Sequence, residues 1–516
     1  MEGVLVSAKR VGGTIALTVV SDHEGRYHFT SAMLKPGTYD LKIRAVGYEM
    51  PAKKVVVGAS GATADLKLNP ARNLAAQLTS AEWMMSAPGM EEQRTSLYGC
   101  LSCHSLLPVF ESNYDPQGQV KLIGEMRNES PASNLHFSSK LPYFVSRRPN
   151  DAKLAEYLST LNLRDGRTHW GFDLKTLPRP AGKATRVMIT EYDLPRATTM
   201  PSFAVMDQEG MIWYADFLAP IVGRLDPHTG KVKEWPLPLV KPGFEPGSLC
   251  LRVGPDGSIW IARSFQGAVA RFDPKTGKVT TWSEPKEYRN IHSRVSYLEP
   301  TPQGKVWFTD TFNRTLNLLD PATGEVKAWP GFPDWKWSWE NDTGSGSHGK
   351  KAVGHFPYSF ASDSRGWGYF TDEAGGYIGE IDPEGHIKLY AVPTDNAGPR
   401  LMHMDSEDRI WFGEDHVAKI GMFDTKTKQF KEWQDPQELD DDYDAVADKA
   451  GYVWTGGMVT DLVTRLDPKS GEMTQYLMPQ VDVNIRALDV DNLTNPPSLL
   501  LGENHHAKIA IVTPLE

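Results

Sequence analysis

The sequence predicts a mainly β protein: a seven-bladed β-propeller preceded by a small α-helical domain and an N-terminal β-sandwich. Three observations predict it. One strand pattern recurs seven times between residues 186 and 516, apolar spacing turns helical between 70 and 170, and residues 1–69 alternate apolar with polar side chains. A chain of 516 residues has room for about three domains at roughly 150 residues each. Its 40% hydrophobic and 23% charged residues exclude a wholly disordered chain. With 55 Lys+Arg against 65 Asp+Glu the net charge is −10, which lacks the basic footprint of a general nucleic-acid binder. No apolar run approaches the ~18 residues of a membrane-spanning helix. The 45 Gly and 37 Pro, with 15 Trp and 18 Tyr, fit many short strands joined by turns. Three cysteines cannot form a disulfide framework.

Residues 1–69 read as short strands, VLVSAKR, IALTVVS, GTYDLKIRAV and KKVVVG, separated by turns such as Lys35-Pro36-Gly37. This spacing suggests a small sandwich. The run DHEGRYHFT…LKPGTYDLKIRAVGY resembles the carboxypeptidase regulatory-like (transthyretin-like) domain. In that family an earlier strand precedes the one that opens this chain, so the resemblance implies a strand ahead of residue 1; a leader is expected from the cysteine motif that follows. It implies a structural or adhesive role and no chemistry.

Residues 70–170 carry helical periodicity in NLAAQLTSAEWM, EEQRTSLYGC and DAKLAEYLSTLNL. Between the last two lies Cys100-Leu101-Ser102-Cys103-His104. Two thiols at this spacing can add to the vinyl groups of a haem while the adjoining histidine ligates its iron. The expectation is one covalent haem c on Cys100, Cys103 and His104. The segment resembles a class I cytochrome c domain. Met126, 22 residues beyond His104, is the leading candidate for the sixth ligand, with His136 as the alternative. Haem of this type is attached outside the cytoplasm in bacteria, so the expected location is periplasmic or secreted.

Residues 186–516 repeat. One strand reads MIWYAD, SIWIAR, KVWFTD, WGYFTD, RIWFGE, YVWTGG and LLLGEN; the next reads IVGRLDP, AVARFDP, TLNLLDP, YIGEIDP, KIGMFDT, LVTRLDP and KIAIVTP. Trp213, Trp260 and Trp307 recur every 47 residues. A further strand follows six copies, and the missing seventh is supplied upstream by VMITEYDLP, residues 187–195. A strand from the N-terminal side therefore closes the ring, and closure removes sheet edges. The insertion WKWSWENDTGSGSHGKK precedes the fourth copy and offers Trp335, Trp337 and Trp339 as a lid or a surface clasp.

Propeller geometry places loops after the second strand of each blade, and the connections between blades, at one mouth. His292 and His355 lie on such connections, His403 early in an innermost strand, and His416 and His505 in the acidic-x-His pairs Glu414-Asp415-His416 and Glu503-Asn504-His505. Asp310, Asp372, Glu414 and Glu503 end the second strand in four blades. Imidazoles and carboxylates around a concave mouth can bind a divalent metal or supply acid–base groups. His355, His416, His505, Glu414 and Glu503 are the expected catalytic residues, and His292 and His403 further metal ligands.

The repeat GxIWFT[DE]…IGRxDPxTGxVxxW resembles virginiamycin B (streptogramin) lyase over about 330 residues. The resemblance implies a seven-bladed fold, a divalent cation and elimination assisted by a histidine; His355 or His416 is the matching candidate. Elimination needs no electrons, so the haem motif departs from that family. The leading expectation is an oxidoreductase that oxidises a small substrate at the mouth and passes electrons to the haem, then to a partner protein. The alternatives are a metal-dependent lyase with an accessory haem, and a non-enzymatic electron-transfer protein.

Overall fold

The computed structural model describes residues 1–90, 93–94, 96–101, 104–129, 151–289, 293–330 and 355–515. His136, the Trp-rich insertion, Cys103 and His292 lie outside the described residues.

The repeat folds as six four-stranded antiparallel sheets, spanning 201–236, 250–283, 295–330, 357–391, 399–434 and 444–477, each running from the axis outward. The same side-chain devices build them. An aspartate before the second strand accepts the indole N–H of the repeated tryptophan: Asp207 from Trp213 at 2.7 Å, Asp405 from Trp411 at 2.9 Å and Asp448 from Trp454 at 3.0 Å. These indoles are buried and lie against an aromatic of the outermost strand, as in Trp213–Trp235 and Trp411–Trp433 at 5.6 and 5.5 Å. In the DPxTG turns the aspartate accepts a backbone N–H two residues on and the threonine hydroxyl, as Asp226 does at 2.9 and 2.7 Å. Gly230 ends that turn at φ 69°, a conformation that favours glycine.

The expectation of seven blades is corrected: six form as four-stranded sheets. The last repeat belongs to an eight-stranded sheet. Its innermost strand, Leu488–Asp491, neighbours the first and sixth blades and so takes the remaining place in the ring. Val187–Asp193 pairs with Lys508–Pro514, Ile189 opposite Val512, as the closing strand should. Its other edge then pairs with Ile15–Val20, Leu17 opposite Thr190. The physical reason is the open edge that the closing strand would otherwise leave; the first residues of the chain occupy it.

A free-standing N-terminal sandwich is likewise not what forms. Leu5–Arg10, Ile15–Val20, Gly37–Arg44 and Lys53–Val57 extend the blade sheet. Irregular segments carrying Tyr27, Phe29, Leu66 and Leu68 cover one face. Arg44 anchors this unit: its guanidinium sits 2.8 Å from Asp461 and donates to the Met478 carbonyl at 2.7 Å.

The helical segment contains α1 (Ser80–Ser86), α2 (Leu107–Glu111), α3 (Pro116–Glu129) and α4 (Asp151–Leu161). Thr79 and Glu82 cap α1 reciprocally, at 3.2 and 2.8 Å. Trp83 stacks on Phe110 at 4.3 Å. Val459 from the propeller joins this core, and Ala81 N–H donates to the Val459 carbonyl. The helices therefore pack on the propeller mouth toward which the second strands run.

Candidate active site at the propeller mouth

Beneath that mouth, tyrosines in or just before the innermost strands converge. The hydroxyls of Tyr297, Tyr358 and Tyr443 meet at 3.3, 3.4 and 2.5 Å. Arg400 lies over the rings of Tyr443 and Tyr358, 4.1 and 5.2 Å from their centroids, and donates to Asp415 at 2.6 Å.

Asp415, His416 and Glu373 then form a buried group whose ligand atoms lie within 4.8 Å of one another. His416 Nε2 is 3.9 Å from both carboxylates. The loop geometry that brings them there depends on Gly398. The backbone N–H groups of Asp415 and His416 donate to the carbonyls of Gly398 and Ala397 at 3.2 Å. A Cβ on Gly398 would sit 2.5 Å from the His416 ring. Burial pushes the Glu373 carboxyl up to about 7; Arg400 opposes this and Asp415 adds to it. Three buried groups of this kind can hold a hard or borderline divalent cation.

A second buried group, Asp435, Asp440 and Asp442, has the same spacing. Burial holds the Asp440 and Asp442 carboxyls well above the usual range, and neighbouring aspartates reinforce this. Tyr98 reaches this region from the helical segment: its hydroxyl donates to the Leu439 carbonyl at 2.9 Å, and Asp441, Asp440 and Asp415 act on it electrostatically.

The expected residues divide. His416 is in the first group. His355 hydrogen-bonds Asp372, whose neighbour Glu373 reaches His416. His505 sits on the 482–484 connection, its Nδ1 3.1 Å from the Asp482 carbonyl. Burial, then Arg486, His506 and His104, lower its pKa to about 3. His403 lies elsewhere. It is three residues past Arg400 along its strand, about 10 Å toward the opposite mouth at ~3.3 Å per residue, and bonds Asp444 at 3.1 Å. Among the described residues, neither three-ligand group includes His355, His403 or His505, so a shared histidine centre is not formed among them.

Glu414 and Glu503 turn into their own blades. Burial and then Glu432 on the outermost strand raise Glu414 to about 9. Glu503 is raised by burial and then by Glu191 of the closing strand. Asp310 ties down its loop, accepting the N–H groups of Arg294, Phe312 and Asn313. In the helical segment Cys100 is half-buried, His104 Nδ1 is 2.7 Å from the Ser105 carbonyl, and Met126 is 39% exposed on α3. Glu373, Arg400, Tyr98 and the aspartates of QELDDDYD escaped sequence reasoning. The acidic run on a mouth-side connection was the available signal.

A sequence profile of the virginiamycin B lyase family matches residues 349–495. A search of curated proteins gives no match. Among solved structures, virginiamycin B lyase from Staphylococcus aureus is 20% identical, with a TM-score of 0.52, over 63% of this chain and 98% of that one. A streptogramin B lyase is 19% identical, with a TM-score of 0.55, over 65% of this chain and 100% of that one. A catalytically inactive histidine-to-alanine variant of the S. aureus enzyme with quinupristin is 19% identical, with a TM-score of 0.53, over 63% and 98%. At these identities the likeness is one of fold, and residues 187–515 form a virginiamycin B lyase-like β-propeller.

Proposed function

We propose that this is a periplasmic or secreted oxidoreductase that oxidises a small substrate at the propeller mouth and passes electrons through one covalent haem c to a partner protein. One observation carries the reading. Tyr98, two residues before Cys100, is bonded to the mouth beside Asp415, Asp440 and Asp441, so the segment leading into Cys100 lies against the candidate active site. His104 fits the group: with its Nδ1 held by a carbonyl, Nε2 would be the atom that ligates iron. Cys100 and Cys103 would hold the haem, which when bound accepts one electron at a time.

At the mouth, Glu373, Asp415 and His416 would hold a divalent cation, which supplies Lewis acidity. Arg400, which donates to Asp415, orients that carboxylate. The helical segment restricts water at the mouth, and His355, fixed by Asp372, is placed to take a proton from substrate. Maturation of the full chain with haem, followed by anaerobic addition of small alcohols, amines and phenols with Mg²⁺ or Mn²⁺, tests the reading. Haem reduction that disappears in His416→Ala supports it. Reduction by none of these, or reduction unaffected by His416→Ala, refutes it.

A second reading, metal-dependent elimination by a lyase, is favoured by the profile match, which spans the blades supplying Glu373, Asp415 and His416. There His416 or His355 would remove the proton and the cation would stabilise the developing charge. Ring opening of quinupristin without change of mass or haem redox state would select it.

A further inference from the structure

His505 carries a nitrogen that no described residue engages. Its Nδ1 faces the Asp482 carbonyl at 3.1 Å. A carbonyl only accepts, so Nδ1 carries the proton and the lone pair falls on Nε2. Nε2 is buried and has no hydrogen-bond partner among the described residues. A buried imidazole with one nitrogen oriented by a carbonyl and the other bare is how a protein presents a metal ligand. His104, which is half-buried, shares the orienting half of this pattern, its Nδ1 2.7 Å from the Ser105 carbonyl. The neighbouring His506 does not, because its Nε2 is already 2.7 Å from the Val481 carbonyl.

The fold ties these two histidines to one place. Asn484 donates to the Leu101 carbonyl at 3.2 Å. Ser80 Oγ donates to Asp482 at 2.8 Å and accepts the Leu106 N–H at 3.3 Å. Residues on both sides of His104 are therefore fastened to the connection that orients His505. Asn504 adds a further bond, to the Asn484 carbonyl at 2.9 Å. His104 is also among the groups that act electrostatically on His505.

We propose that His505, from the last repeat of the propeller, is the second axial ligand of the haem iron, opposite His104. This rests on the haem reading above. It replaces Met126, which is exposed on α3, and it makes the iron a direct bridge between the helical segment and the propeller. Two imidazoles also give a lower potential than an imidazole and a thioether.

The test uses the full-length chain matured with haem. The ferric protein should be low-spin, with the near-infrared band of bis-imidazole rather than imidazole–thioether coordination. His505→Gly should become high-spin with its haem still covalently attached, and added imidazole should restore the low-spin spectrum. Met126→Ala should leave the spectrum unchanged. A thioether band in the unaltered protein, a high-spin ferric haem, or a His505→Gly spectrum identical to the parent would overturn the proposal while leaving the haem reading intact. Absence of covalent haem from the unaltered chain would overturn both. If His505→Gly fails to fold, the near-infrared band of the unaltered protein decides.

Discussion

Glu414 and Asp415 are neighbours with opposite roles, because Glu414 is the last residue of its strand and Asp415 opens the turn that follows. Asp415 meets Arg400 and His416 at the mouth; Glu414 turns into the blade toward Glu432. Burial raises Glu414 from an ordinary 4.5 to about 9, and Glu432 adds to the rise. The folded state therefore holds a proton that the unfolded state has released. Its contribution to stability is full below about pH 4.5 and is lost progressively as pH rises to about 9. Glu414→Gln should flatten the fall in Tm across that window, read by calorimetry in a pH series; an unchanged profile would remove Glu414 as its source. His416→Ala or Glu373→Gln should weaken Mn²⁺ binding at least tenfold by titration calorimetry, about the scale on which disturbed ligand sets lose affinity. Equal affinity in both variants would exclude this group as the cation site. The acidic-x-His spacing made His416 legible. It pointed to Glu414 instead of Asp415, because a motif gives spacing and not the face each side chain leaves from.

At the scale of the element, the joint between the N-terminal strands and the last repeat explains what pattern reading could and could not deliver. Counting repeats exposed the missing outermost strand and located it at 187–195, because strand number in a closed ring must balance. Nothing in residues 1–69 reveals that Ile15–Val20 will add to the far edge of that strand. Edge pairing is made by backbone groups, which every sequence carries. The side chain that secures the joint is Arg44, which is buried against Asp461. Its removal would leave a buried carboxylate without its cation and the Met478 carbonyl without its donor. Arg44→Ala should cost about 3–5 kcal/mol, the usual penalty for breaking a buried ion pair, measured by urea denaturation of the whole chain. A loss under about 1 kcal/mol would mean that solvent reaches Asp461.

On the scale of the whole molecule, the N-terminal strands, helical segment and propeller share sheets and cores, and this sets how the chain can be cut. The repeat alone suggests that residues 187–515 would fold unaided. The eight-stranded sheet argues differently, because Val187–Asp193 has a partner on each side. Removing residues 1–185 leaves its full length of unpaired N–H and C=O groups facing water, and it strips the helical core from Val459. Exposed edges of this kind recruit other chains. The truncated propeller should retain the near-ultraviolet signature of its buried tryptophans yet associate on concentration, as light scattering would report. Cutting at residue 200 removes the closing strand as well, so the last repeat loses its outermost strand and the tryptophan signature should weaken too. A 1–185 deletion that stays monomeric at concentrations where the full chain does would show that the N-terminal strands are an ornament on a self-sufficient ring rather than the cover for its edge.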